Sequence, residues 1–516
     1  MPSVTQLAAA SPSGRLPRRY RRNLVSEYAR TGTAAVIALL VTPILVHHLG
    51  AERYGIWALV GSIALYLELL EFGFGTATVK YVAEFAGAGN LQGVRGTIAT
   101  SFWVLAVPGL VALLLGGVLA ALFPTIFNLS PNLVDAARVL LLLVITDLAL
   151  SIPSDTFGGT LIGLQRYDLL NASIVATSVA QAIAWTIILA SGGGLVALGV
   201  ATLALGLGGQ ASRYLIVRRH VPRLSIAPRL IDRSIVRSLA SLSGWYAMID
   251  LAVIVVQRID VIIVGLVVNV PAAGVYAVGQ KLAFAVEQVI APVTKGFLPH
   301  ASELAAREDE SQLRNAIVTG TRISFAVAAP LCLALGFLAG PLLHAWVGAG
   351  FDQARLVVVY LVVAAGVGSL TRPGFLMLQG VGTARPTAFI RGGEAILNLA
   401  LSIELGLRWG LTGVAFATMV AGAVSNLGLL LPLICRRFGL PVASLLGPVA
   451  RAHVPAMTTG LLVAWLVVRL HPANGAWALA GMVAIAAAYL CIFATTGLDR
   501  EERRHLLAFV RRPRSR

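Results

Sequence analysis

The sequence predicts an all-α polytopic membrane protein of about 14 transmembrane helices, built as two parallel six-helix lobes plus a C-terminal helical hairpin. Three observations carry this expectation. The 516 residues are 57% hydrophobic and 12% charged, with mean hydropathy +0.83, where a soluble domain carries about 25% charged residues. The apolar stretches are about 20 residues long and recur to the C-terminus, which is the length at which a helix crosses a bilayer with its backbone satisfied internally. Finally, the chain repeats itself at a shift of about 219 residues.

The repeat is visible residue by residue. Tyr54-Gly55-Ile56-Trp57 falls on Ala273-Gly274-Val275-Tyr276, Glu68 on Glu287, Glu84 on Glu303 and Arg95 on Arg314. At a slightly smaller shift, Gly194-Leu195 falls on Gly410-Leu411, Ala201-Thr202 on Ala417-Thr418, and Arg218-Arg219 on Arg436-Arg437. An internal repeat in a hydrophobic chain is the usual construction of a transporter.

The elements follow in order. Residues 1–22 form a polar, basic tail, and no cleavable signal peptide is expected there. Spans at roughly 24–46, 55–75, 97–123, 136–158, 171–190 and 195–217 make the first lobe, 23–217. Residues 218–237 are basic and interrupted by Pro222 and Pro228, which suits a linker between two lobes that move. Spans at roughly 238–268, 274–298, 316–344, 355–380, 390–407 and 411–434 make the second lobe, 238–440. Six is even, so both copies enter the membrane in the same orientation and the repeats are parallel. Spans at roughly 453–470 and 476–497 have no counterpart and form an added hairpin within 441–498. Residues 499–516 are a second basic tail.

The net charge of +17 has a location. With the N-terminus cytoplasmic, about 30 of the 40 Lys and Arg lie on the inner side, the positive-inside pattern. Both termini are therefore expected in the cytoplasm, and anionic lipid accounts for the basic surface without nucleic acid. The outer connections are short, which argues against a membrane glycosyltransferase or polymerase. No P-loop is present, and no His, Cys or carboxylate cluster has metal-ligand spacing, so neither cofactor nor metal is expected.

The stretch from Arg22 to Asn90 contains Arg-Asn-Leu-Val-Ser-Glu-Tyr, His-Leu-Gly-Ala-Glu-Arg-Tyr-Gly-Ile-Trp and Phe-Gly-Phe-Gly-Thr-Ala. It resembles the start of bacterial polysaccharide flippases, the lipid-linked oligosaccharide exporters of the multidrug/oligosaccharidyl-lipid/polysaccharide superfamily. Asp260-x-x-Ile263-Val264-Gly265 followed by Ala273-Gly274-Val275-Tyr276 resembles the same family's seventh and eighth spans. The resemblance covers about residues 22–440. It implies two lobes around a central cavity, alternating access, and a polyprenyl-diphosphate-linked glycan as substrate. It places the chain in the inner membrane, in O-antigen, capsule or exopolysaccharide synthesis. A polymerase and glycosyltransferases of that pathway are the implied partners.

An ionisable side chain inside a span costs about 2.5 kcal/mol or more, so it usually faces a cavity or a partner. That test selects Lys281, Gln288 and Lys295, spaced by sevens on one face of span eight. It also selects Asp250, Gln257 and Arg258 in span seven, Arg322 in span nine, Arg372 before Pro373 in span ten, and Arg30 in span one. These are the candidate contacts for a diphosphate, with snorkelling at the interface as the alternative for Lys295 and Arg322. Glu68 and Glu287 are acids at matching depth in both copies. They read as bonds within each lobe or as a proton- or cation-coupling site. Glu84 and Glu303 read as loop residues partnered by Arg95 and Arg314. In the first copy Lys281 falls on Ser62, Arg258 on Leu39 and Arg372 on Asp155, so the lining diverges where the scaffold agrees. Two related functions stay open, a multidrug or organic-cation antiporter and a peptidoglycan-precursor flippase. The only acid in span one is Glu27, near its inner end, which counts against the antiporter.

Overall fold

In a computed structural model, residues 18–71, 74–232, 236, 244–307, 309–470 and 475–498 are described. The tail segments 1–17 and 499–516 lie outside these residues, as do the side chains of Asp250 and of its neighbour Tyr246.

The first helix, α1 (Arg18–Glu68), holds spans one and two. It breaks at Gly50, whose φ of 71° is a left-handed conformation that suits glycine. Next come α2 (Phe74–Gly87), α3 (Leu91–Ile126), α4 (Val134–Gly163), α5 (Tyr167–Ala190) and α6 (Leu195–His220). Then follow α7 (Gly244–Val267), α8 (Val270–Thr294), α9 (Phe297–Ala306), α10 (Glu310–Val347) and α11 (Ala354–Gly380). Helix α12 (Ala384–Ala423) holds span eleven and the start of span twelve, divided at Gly410 with φ 63°. It continues through a π-turn (Val424–Leu430) into α13 (Leu431–Arg437). Helices α14 (Val442–Arg469) and α15 (Gly475–Thr496) form the hairpin. With the two divided helices counted twice, the expected spans all have a helix among the described residues.

The chain packs as two compact units, Met1–Gly274 and Val275–Arg516. This cut follows packing, and it leaves the seventh span, α7, in the first unit against α1. In that unit α3, α4 and α6 pack in sequence, with α2 on α4 and α5 on α1. In the second unit α10 packs on α11, α14 and α15, and α11 packs on α9 and α12.

The repeat persists down to caps and core. Asn90 begins α3 by accepting a hydrogen bond from Gly93 N at 2.8 Å. Its counterpart Asp309 begins α10 by accepting one from Gln312 N at 3.0 Å. One buried cluster in the first unit includes Val82, Val94, Ile98, Leu161 and Val217. The corresponding cluster in the second includes Ala301, Leu313, Ile317, Leu378 and Ile434. These five pairs stand at the repeat shift, so each unit closes one end of its helices with the same plug.

The repeated glycines meet each other. A methyl group on Gly55 would overlap the Val270 carbonyl oxygen, and one on Gly274 would lie 2.6 Å from Ala51 O and 3.0 Å from Gly55 N. Tyr54 and Tyr276 beside them are fully buried. Only a residue without a side chain permits this backbone approach.

Two readings of the inner loops are corrected. Glu84 and Glu303 lie on the short helices α2 and α9, not in loops. Their expected partners go elsewhere. Arg95 donates to Pro222 O at 2.9 Å, while Arg314 pairs with Glu310 at 3.0 Å and Glu303 takes Arg307 at 2.6 Å.

Candidate functional site

Each unit carries its own set of charges inside the spans. In the first unit, Asp155 of α4 and Arg213 of α6 form an ion pair at 3.3 Å. One turn before Arg213 along α6, Gln210 donates to Asp147 Oδ1 at 3.3 Å and accepts from Ser154 Oγ at 3.4 Å. Gly206 makes room for this arrangement, because a methyl group there would overlap Asp147 Oδ1. Glu68 lies within electrostatic reach of Asp155 and of Arg258, and Glu71 within reach of Asp155 and Glu68. Arg258 also faces Tyr66, whose hydroxyl donates to Val255 O at 3.1 Å. Among the described residues, this cluster sets Glu68, Glu71, Asp147 and Asp155 against Arg213 and Arg258.

In the second unit, Arg372 of α11 donates to Glu287 of α8 at 2.9 Å. Both side chains keep about a third of their surface exposed, so the pair lines a surface instead of filling a core. On the same helix as Glu287, Lys281 and Gln288 are exposed on one face, and Lys295 is exposed in the turn just past the helix end. A second, deeper network links α11, α12 and the π-turn. Arg391 pairs with Glu394 at 2.5 Å, with side chains only 15% and 7% exposed. Ser425 Oγ donates to Glu394 at 2.8 Å, and Thr371 Oγ1 donates to Asn426 Oδ1 at 2.7 Å. Arg391 also lies over the Phe375 ring, 4.7 Å from its centroid. One turn on from Glu394, Asn398 donates to Thr418 Oγ1 at 2.8 Å.

The remaining sequence candidates are dispersed. Arg30 pairs with Glu27 at 2.7 Å within the first turns of α1. Gln257 is half-buried on α7 beside Arg258. Arg322 is half-buried on α10, and its carbonyl oxygen accepts from His453 Nε2 at 3.1 Å. That bond makes Nε2 the protonated nitrogen, so His453 Nδ1 accepts from the Tyr489 hydroxyl at 2.7 Å. His453 thereby fastens the hairpin to α10 among Phe325 and Phe493.

Sequence reasoning missed Asp147, Arg213 and Arg391. All three satisfy the test of an ionisable residue in a span, so the signal was present. In the first copy Arg213 stands on α6, away from the positions that match Lys281, Arg258 and Arg372. Among the described residues, no group of three His, Cys, Asp or Glu has the geometry to hold a metal.

Comparison with known proteins bears on this arrangement. Residues 35–355 match the profile of the family described as polysaccharide biosynthesis protein. The uncharacterized membrane protein EpsK of Bacillus subtilis (strain 168) is 20% identical over 400 residues, covering 76% of this chain and 78% of that protein. Among solved structures, an inward-facing multidrug resistance MATE family transporter of the MOP superfamily matches with TM-score 0.67 and 15% identity. The match covers 78% of this chain and 94% of that one. The lipid II flippase MurJ in an inward closed conformation matches with TM-score 0.63 and 13% identity, covering 92% and 98%. The fold is therefore that of MOP-superfamily transporters, on a multi-pass membrane protein.

Proposed function

The chain belongs to the polysaccharide biosynthesis protein family, and from that premise we propose that it is a flippase for polyprenyl-diphosphate-linked oligosaccharide. It moves this lipid across the bacterial inner membrane by alternating access, with both of its own termini in the cytoplasm. The glycan then enters O-antigen, capsule or exopolysaccharide synthesis, where a polymerase and glycosyltransferases act beside it.

One observation supports the substrate class above the others: the cations Lys281, Arg322 and Arg372 inside the spans of the second unit. A diphosphate needs such groups. Arg offers a planar fork of donors and Lys a mobile point charge. Arg372, held at one side by Glu287, keeps about a third of its side chain exposed. Arg258 is the corresponding candidate of the first unit, with Gln257 beside it and Asp250 earlier on the same helix, α7. Gln288 extends the polar face of α8 and Lys295 follows at its end, while Arg30 would act near the start of α1. Glu68 and Glu287 are the acids through which an ion gradient would couple.

A second reading, an organic-cation antiporter, draws on Glu68, Glu71, Asp147 and Asp155 in the first unit. The two readings part in cells. Cells lacking the protein should accumulate lipid-linked glycan on the cytoplasmic leaflet. Normal outward movement of that lipid, together with lost efflux of a fluorescent organic cation, would instead support the antiporter.

A further inference from the structure

The segment that leaves α6 does not hang free. Its backbone is tied along α3 at three points. Arg95 Nε donates to Pro222 O at 2.9 Å, Trp103 Nε1 donates to Ile226 O at 2.8 Å, and Asp232 N donates to Thr100 Oγ1 at 2.9 Å. Val221 is buried, and Leu224 and Ile226 pack into the cluster that holds Val94 and Ile98 of α3. The same segment turns its charge outward. Arg218, Arg219, Arg223 and Arg229 are all exposed, and no acid occurs from residue 218 until Asp232.

The depth of this strap can be read from α3. Beyond Trp103 the helix exposes Val107 at 64%, Leu110 at 57%, Leu114 at 62% and Val118 at 58%. Steps of three and four put these four on one face, which is the face of a helix bathed in lipid. Trp103, 38% exposed, stands at the start of that stripe. Its indole N–H is occupied by the strap while its ring meets the apolar band, the posture of an aromatic at the membrane–water boundary. Trp103 and Val107 are about 6 Å apart along the helix axis. The strap therefore crosses α3 about one turn outside the hydrocarbon, at the depth of lipid headgroups.

We propose that residues 218–232 form a docking strip for anionic phospholipid headgroups of the leaflet at this end of the helices. Four guanidinium groups held on a fixed backbone at headgroup depth match phosphate in geometry and charge. The ties to α3 keep the strip in register with the bilayer, which a free linker would not do. The occupant is bulk phospholipid and not transported lipid, so this inference stands apart from the proposed function.

The test uses Trp103 as a reporter in the full-length chain, placed in nanodiscs of phosphatidylcholine with a minority of phosphatidylglycerol. In one preparation only the phosphatidylglycerol carries brominated acyl chains. In the other only the phosphatidylcholine does, at matched bromine content. The Trp103 component is the difference between the native chain and Trp103→Phe. Quenching should show phosphatidylglycerol enriched around Trp103 by about fivefold over its bulk share. Replacing Arg218, Arg219, Arg223 and Arg229 by Gln should abolish the enrichment. Raising salt from about 0.05 M to about 0.5 M should weaken it in the native chain, which decides the matter even if the Gln variant fails to fold. Quenching at the bulk share, or a preference that survives both the Gln substitutions and the salt, overturns the proposal.

Discussion

Arg372 donates to Glu287 at 2.9 Å, and the internal repeat puts Asp155 and Glu68 in the same two positions. One unit thus closes a helix-to-helix ion pair where the other sets two acids within electrostatic reach. Asp155 is neutralised from elsewhere, by Arg213 on α6. The same scaffold position has been wired in two ways, and the units differ in electrostatic sign where they agree in shape.

Glu287→Arg and Arg372→Glu, made singly, should each lower stability by about 1 kcal/mol by facing like charges across the pair. Made together they should restore it, since the pair is re-formed in reverse. Thermal unfolding in detergent measures this. If Arg372 also meets substrate, the stable double variant will still transport poorly. A double variant no more stable than the singles would show that the pair holds nothing together.

Asp155→Asn and Arg213→Gln should behave as a coupled pair. Each alone leaves a charge of the opposite sign inside the first unit without its neighbour. A double-mutant cycle should return a coupling of about 1 kcal/mol. Additive effects on unfolding would break the assignment of this pair.

The fold was legible because its signals are local or periodic. Span length needs only a run of apolar residues, and the repeat needs only Gly55 over Gly274 or Glu68 over Glu287. The short helices α2 and α9 read as loops because, at 14 and 10 residues, neither is long enough to cross a bilayer. The wiring was not legible, because each bond joins helices far apart in sequence. Nothing near Arg372 announces Glu287, and nothing near Arg95 announces the carbonyl of Pro222. Residues 218–237 looked like a free linker for the same reason. Their composition is that of a hinge, yet three side chains of α3 hold residues 222–232 in place.

Gly55→Ala and Gly274→Ala should each destabilise the protein by about 1–3 kcal/mol, because the added methyl meets backbone that cannot turn aside. Gly61→Ala, where the new methyl meets nothing within 4 Å, is the control. Equal unfolding temperatures for all three would contradict the close approach.

Arg391→Leu should cost about 3 kcal/mol or more, because it leaves the Glu394 carboxylate buried with Ser425 as its remaining donor. Adding Glu394→Leu should recover part of that loss by removing the orphaned charge. Expression level and unfolding temperature report both steps. A double variant worse than Arg391→Leu would mean that Glu394 is stabilised by something other than Arg391.

The central claim is outward movement of a diphosphate-linked glycolipid past the in-span cations. The direct measurement is translocation in proteoliposomes that hold the purified protein and a fluorescent polyprenyl-diphosphate oligosaccharide, read by protection from an added membrane-impermeant quencher. The native protein should equilibrate the lipid between leaflets, while Arg258→Gln, Lys281→Gln and Arg372→Gln should each slow it at unchanged protein content and fold. Native-protein vesicles no faster than empty ones, or full rates in all three variants, would contradict the account.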